Sequence, residues 1–373
     1  MKSPTNNVID KLLNLKEDFV TFIIIIISLI FILTMIIYTI YLRNLQKTEC
    51  NYMDDLYGKI DGNIRSIDLT QPDFSGNLYD YYIKTAYNSC SGGNYKNDFV
   101  NLCNLTNILK QGVRCLDFEL YCLNNTPVVA TSTVNSVYVK ETFNSVNFSD
   151  VMSTIQSSAF AGGSTPNPKD PIIIHLRCMS NNPMMYASLA DIFKSYDSIM
   201  LGKEYSYENH GHNLGMTPLK DLMQKVILII DKSNSTFLGN MDLLEYVNLV
   251  SNSFFMRGYD YEHIKNNHDL QELEKYNQRN LTIVFPDSGS NPKNPSTLLT
   301  REVGCQMTAI RYQSVDNFLE ENNTFFDSAG FAFVLKPESL RYEPTTVDAP
   351  TAQNPDYSYA TKKQSTDYYS INY

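Results

Sequence analysis

The sequence predicts an α/β protein built on parallel strands and carried behind one transmembrane helix. Three observations predict it. An uncharged apolar run fills residues 20–42. From about residue 76, apolar strand-like runs alternate with amphipathic helix-like stretches, the pattern of a parallel sheet with crossover helices. Apolar residues make up 43% of the 373-residue chain and charged residues 19%, enough apolar surface for a sizeable core.

Residues 1–19 are polar and mixed in charge. The apolar run then opens Val20-Thr21-Phe22, continues through five isoleucines before Ser28, and ends Ile40-Tyr41-Leu42. About 20 apolar residues cross a bilayer. A cleaved signal peptide would carry an apolar core of about 7–15 residues and a small-residue cleavage site, whereas Arg43-Asn44-Leu45-Gln46 follows here. A membrane span, with the bilayer as its partner, is therefore expected. Lys2, Lys11 and Lys16 flank one side, and Arg43, Lys47 and Lys59 the other. The positive-inside rule leaves the orientation open.

Residues 43–75 read as a polar stalk. The clearest strands of the body, 76–341, are Gly112–Leu120, Pro127–Ala130, Pro171–Leu176, Lys225–Ile230, Leu281–Phe285 and Met307–Ile310. Helix-like segments lie at Ser149–Ala159, Ala187–Ser195 and Asp269–Tyr276. Residues 342–373 are polar without apolar periodicity and are expected to be disordered.

Thirty Lys and Arg against 40 Asp and Glu give a formal charge of -10, which argues against nucleic acid as a partner. The seven cysteines form no CxxC pair or zinc spacing and are expected to be buried thiols. Asn-x-Ser/Thr triplets occur at Asn104, Asn147, Asn234 and Asn280, among others. In an Asn-rich chain they do not establish a luminal location.

Side chains alternate along a strand. Leu116, Phe118 and Leu120 therefore share the face that meets helices, while Cys115, Asp117 and Glu119 point inward. Two inward carboxylates need a counter-ion or a metal.

The stretches Asn107–Glu119, Pro127–Val129 and Pro171–Cys178 together resemble the X half of the catalytic barrel of eukaryotic phosphoinositide-specific phospholipase C. The stretches Gly304–Gln313 and Phe326–Arg341 are similar to the end of its Y half. Ser251–Phe254 and Val284–Pro286 echo weaker signals between them. The resemblance covers roughly 76–341 and implies a distorted (β/α)8 barrel, which fits the usual ~250 residues of that fold. It leaves no room for the family's C2 domain after Arg341 or a pleckstrin-homology domain before the barrel.

By this resemblance, Asn88, Asp117, Glu119 and Arg177 stand where the family holds Ca2+. Three keep oxygen-bearing side chains; the fourth is a cation. Arg177 is expected to take the calcium position and pair with Asp117 or Glu119. The two histidines that serve the family as general acid and base are replaced by Tyr87 and Thr131, and no His occurs from position 1 to 174. Neither replacement titrates near neutrality. The basic headgroup contacts are also reduced: Ile283 replaces an Arg, and Asp231-Lys232 a Lys-rich strand end. Lys232 and Ser253 are the remnants expected at the substrate site.

Of the remaining histidines, His175 should be a hydrogen-bonded core residue one layer below Arg177. His210 and His212 are a weak metal candidate in a loop. His263 and His268 should be surface residues. The sequence thus reads as a catalytically silent, membrane-tethered barrel used for binding or assembly, with no cofactor. The alternative is an active phosphoinositide phosphodiesterase using Ca2+ and rearranged chemistry. In either case a phosphoinositide headgroup is a candidate ligand.

Overall fold

The computed structural model describes residues 4–373 except 135, 208–212, 345–349, 353, 355 and 356, with side chains from residue 19 onward. Helix α1 spans Pro4–Tyr57. Its stretch from Phe19 is long and apolar enough to cross a membrane, and the apolar window is not buried against the rest of the protein.

The body is a barrel of parallel strands: β1 Tyr81–Ala86, β2 Cys115–Leu123, β5 Ile172–Cys178, β6 Val226–Asp231, β7 Leu249–Ser251, β8 Met256–Asp260, β9 Leu281–Phe285 and β10 Met307–Ile310. They run in the order β7-β6-β5-β2-β1-β10-β9-β8. The seam between β7 and β8 is bridged by the turn joining them, where the Ser253 N–H donates to the Met256 carbonyl and the Gly258 N–H to Asn252. Three antiparallel strands extend the sheet. The strands β3 Thr126–Val129 and β4 Val146–Asn147 continue from β2, and β11 Phe333–Leu335 lies on β1. The sequence singled out six of these eleven strands; β1, β7 and β8 are short or carry polar residues that blur the alternation.

Outward residues of β2, β5 and β6, including Leu116, Phe118, Ile174 and Leu228, form one core. Their partners come from α2 Leu102–Lys110, α3 Phe148–Ser158 and α4 Pro183–Ser195. Inward residues fall into layers because parallel strands in register place like positions side by side. Cys115, Ile173 and Ile227 form the lowest layer, and Asp117, His175 and Ile229 the next. Glu119 and Arg177 are adjacent above them. The interior thus grades from apolar to charged towards the strands' C-terminal ends, where barrel sites form.

Two expectations need correction. Residues 43–75 are not a free stalk. The helix continues to Tyr57, and Met53 and Tyr57, one turn apart on one face, are buried against the barrel. The Tyr57 hydroxyl donates to the Tyr312 carbonyl at 2.9 Å. Beyond the helix, Ile64, Ile67 and Phe74 are buried. Gly112, at φ +72°, ends α2 so closely under Ile64 that a Cβ there would lie 2.7 Å from its Cγ2. Nor are all cysteines thiols: Cys50 on α1 is disulfide-bonded to Cys103 on α2, with Cα atoms 5.9 Å apart, inside the range a bridge needs. The other five are free.

Residues 342–373 form a separate unit. Where disorder was expected, Lys363–Ser365 pairs antiparallel with Ser370–Asn372, every residue of both segments being exposed.

Candidate active site

The inward charges meet at the C-terminal ends of β1, β2 and β5. Because β5 is in register with β2, Arg177 lies beside Glu119 and His175 beside Asp117. Asn88 follows β1 at φ +44°, a left-handed conformation that Asn tolerates, and its side chain is buried with them.

Arg177 binds all three expected ligand positions. Its Nε and Nη2 donate to Asp117 at 3.0 and 2.7 Å. Nη1 donates to Glu119 at 2.8 Å, and Nη2 also to the Asn88 side-chain oxygen at 2.9 Å. Glu119 accepts further from the Tyr121 hydroxyl and the Ser132 N–H. The Tyr87 ring lies 4.7 Å and the Phe285 ring 5.5 Å from the guanidinium carbon, so the cation has aromatic walls. Burial would raise the Asp117 carboxyl. The Arg177 charge and hydrogen bonds from His175 and Arg177 overcome that and hold it at about 2. Burial in turn lowers Arg177, but Asp117, Tyr87 and Glu119 outweigh it and lift the guanidinium well above its ordinary value.

His175 is fully buried. Its Nδ1 lies 2.8 Å from Asp117, and its Nε2 2.9 Å from the Ser251 hydroxyl. An ionised Asp117 accepts from Nδ1, which fixes the ring below the charged layer.

These residues do not fit the calcium ion that the resemblance implies. Calcium takes 6–8 oxygen ligands, and here the oxygens of Asp117, Glu119 and Asn88 surround a guanidinium. Among the described residues, no group of three or more His, Cys, Asp or Glu is placed to hold a metal ion.

Of the two residues expected in place of the family's histidines, Tyr87 lies in the aromatic wall and burial pushes its phenol up. Thr131 is buried, with its hydroxyl donating to the Tyr95 carbonyl. Lys232 is exposed, and the Ser253 hydroxyl turns back onto the Val250 carbonyl; neither lines the cavity at the mouth. His263 and His268 are exposed. His210 and His212 lie outside the described residues.

That cavity holds about 590 Å³ and is lined by Tyr87, Tyr95, Glu119, Arg177, Asp231, Tyr259, Asp260, His263, Phe285 and Asp287 among others. Sequence reasoning did not single out Asp260, Phe285 or Asp287 for this place. All follow one rule, that residues at or just past a strand's C-terminal end face the mouth. β8 ends at Asp260 and β9 at Phe285. For Asp260 the missing step was recognising β8 as a strand; for Phe285 and Asp287 the strand β9 was read but its end was not carried to the mouth.

A nearly closed parallel barrel with ionisable side chains gathered at the strands' C-terminal ends has the architecture of a barrel enzyme. Residues 74–232 match the phosphatidylinositol-specific phospholipase C X domain, and residues 246–339 the Y domain. The chain belongs to this phospholipase C family. Among curated proteins it is 37% identical over 76 residues to human 1-phosphatidylinositol 4,5-bisphosphate phosphodiesterase gamma-2, a stretch covering 19% of this chain and 6% of the relative. The rat protein of that name is 36% identical over 76 residues, with the same coverage. The matched stretch is thus a small part of the curated relatives. Among solved structures, L. pealei PLC21 superposes with a TM-score of 0.57 at 18% identity, over 72% of this chain and 38% of that one. S. officinalis PLC21 gives 0.56 at 18%, over 74% and 39%. At that identity the likeness shows a shared fold.

Proposed function

We propose that this chain is a membrane-anchored phospholipase C barrel that is catalytically silent and serves as a binding or assembly module at a bilayer surface. One observation carries this reading: Arg177 donates to Asn88, Asp117 and Glu119 together, so a built-in cation neutralises the carboxylates that a metal would otherwise need to occupy. Tyr87 and Thr131 support it, since neither exchanges protons near neutrality. Losing a general acid or base costs about 10²–10⁴-fold in rate. The mouth supports it too. Its carboxylates include Asp231, Asp260 and Asp287, and the basic side chains among its described lining residues are His263 and Arg177, which is held by Asn88, Asp117 and Glu119. Among the described residues a phosphorylated headgroup meets no lysine or arginine there other than Arg177, so attachment to lipid rests on α1.

The test is inositol phosphate release from phosphatidylinositol bisphosphate vesicles by the full chain, with and without Ca2+. The double variant Asp117→Ala, Glu119→Ala runs alongside. Release equal to that of the variant is expected. Calcium-dependent release that the variant lacks would overturn this reading in favour of an active phosphodiesterase with a rearranged acid and base.

A further inference from the structure

Two independent features bear on which side of the membrane the barrel occupies. The first is the Cys50–Cys103 bond. Cys50 follows the last residue of the apolar run, Leu42, by about 12 Å of helix, so the bridge fastens the membrane-proximal end of α1 to α2. The helix face beyond Cys50 is already docked through Met53 and Tyr57. The two sulfurs are therefore brought together by packing that does not itself need the bond. Disulfides persist in oxidising compartments and are kept reduced in the cytosol.

The second feature is how the fold sorts the Asn-x-Ser/Thr triplets. Asn104 and Asn322 are buried. The Asn234 amide donates to the Cys178 and Ser180 carbonyls, and the Asn280 amide to the Tyr276 carbonyl. Asn124 and Asn147 are exposed. Asn124 and Asn125, at φ +51° and +65°, form the two-residue turn between β2 and β3, a projecting hairpin tip of the type that favours Asn. Asn147 precedes α3, and its side chain makes no capping bond to that helix. Glycan transfer requires an Asn side chain that an enzyme can reach in a surface loop of a protein outside the cytosol.

We propose that the barrel stands on the oxidising, non-cytosolic side of its membrane with the N-terminal segment on the cytosolic side, and that Asn124 and Asn147 are its N-glycan acceptors. This rests on residues 20–42 being a span. There, the two thiols pass two electrons and two protons to a disulfide-bearing oxidant through a mixed disulfide, and the Cys50–Cys103 bond forms. Each Asn amide nitrogen bonds the anomeric carbon of a polyprenyl-diphosphate-linked oligosaccharide. The amide loses a proton and the polyprenyl diphosphate leaves.

The experiment uses the full chain expressed in a eukaryotic cell. Treatment with peptide N-glycosidase should speed its migration on a gel. Asn124→Gln with Asn147→Gln should migrate at the deglycosylated position before treatment, and treatment should not change it. Cys50 and Cys103 should resist a thiol-alkylating mass tag until a reductant is added. The absence of a glycosidase-sensitive shift overturns the proposal, as does a shift that survives the double variant or alkylation of both cysteines without reductant. Extraction with alkaline carbonate tests the span separately. Release into the supernatant would sink the anchored reading, while a glycan on the released protein would still place the barrel outside the cytosol.

Discussion

Two arginines, one buried and one partly buried, stand at opposite ends of the same pair of strands. Arg114 precedes β2 at the bottom of the barrel, and its carbonyl accepts from the Ile173 N–H. Arg177 lies at the top of β5, five residues or roughly 16 Å further along the paired strands. The terminal nitrogens of Arg114 are bound by neutral oxygens, while its buried Nε has no hydrogen-bond partner among the described residues. Nη1 donates to the Ala159 carbonyl, and Nη2 to Thr165 and to both the carbonyl and the side chain of Asn167. Burial lowers it to about 10. Arg177 is surrounded by carboxylates and moves the other way. The bottom arginine stitches loops together, and its fork geometry matters more than its charge. The top arginine is a counter-ion. In a barrel the first position serves stability and the second is where chemistry sits. A guanidinium spent there on neutralisation is what separates this mouth from one built to bind a metal.

The comparison breaks most sharply at Arg177. Arg177→Met strands Asp117 and Glu119 without a counter-charge and should cost about 3–5 kcal/mol at pH 7. The pH dependence should also reverse. In the native protein Asp117 is held at about 2 against an ordinary value of 3.8. Its contribution is therefore full above about pH 4 and is lost as pH falls towards 2. In the variant the buried carboxylates favour protons, so stability should rise as pH falls from 7 to 4.5. Urea denaturation of both proteins at the two pH values measures the variant's slope against the native protein, in which Asp117 adds none over that range; a variant that weakens on acidification relative to the native protein would contradict the counter-ion role.

Arg114→Met should cost less, about 2–3 kcal/mol, because the acceptors it orphans are neutral and among the described residues it holds no carboxylate by a hydrogen bond, acting on Asp170 only through space. It should leave the response of the mouth to Arg177 substitution unchanged. Additivity of the two losses in the double variant is the check, since sites that share no partners add. A coupling beyond about 0.5 kcal/mol would mean that the two ends are not independent.

How much of this was legible follows from the kind of signal each region carries. The alternation in Arg114–Leu120 put Asp117 and Glu119 inside and Leu116 and Phe118 outside, because period two is local. Arg177 as their partner was legible through the resemblance, which sets it at a calcium-ligand position; the β2–β5 register that places it beside Glu119 joins segments distant in the chain and was not read. The docking of α1 was not read. Its signal was Cys50, Met53 and Tyr57 on one helical face, three residues in an otherwise polar stretch. The disulfide was missed with it, since pairing Cys50 with Cys103 requires knowing that α1 lies against α2. The rim carboxylate Asp260 depends on β8, where Met256-Arg257-Gly258-Tyr259-Asp260 has no apolar alternation and is held by its parallel pairing with β9.

The smallest expected effect tests that unread docking surface. Glu49, on α1, is buried beside Asp98. Both carboxylates crowd Gly93, where a Cβ would lie 2.3 Å from Asp98 Oδ2 and 2.4 Å from Glu49 Oε1. Burial first, then the hydrogen bond and charge of Asp98, raise Glu49 from 4.5 to about 9. The folded state therefore keeps a proton that the unfolded chain releases near 4.5. Its contribution is full below that value and is lost as pH rises towards 9. Glu49→Gln keeps the shape and cannot ionise. Its advantage in Tm over the native protein should be slight at pH 5, grow steadily to pH 9 and level off above. Asp170, raised to about 6 by burial, and Lys336, lowered to about 7 by burial, titrate in both proteins and cancel in the difference. A difference that stays flat from pH 5 to 9 would show that α1 does not hold Glu49 against Asp98 in solution.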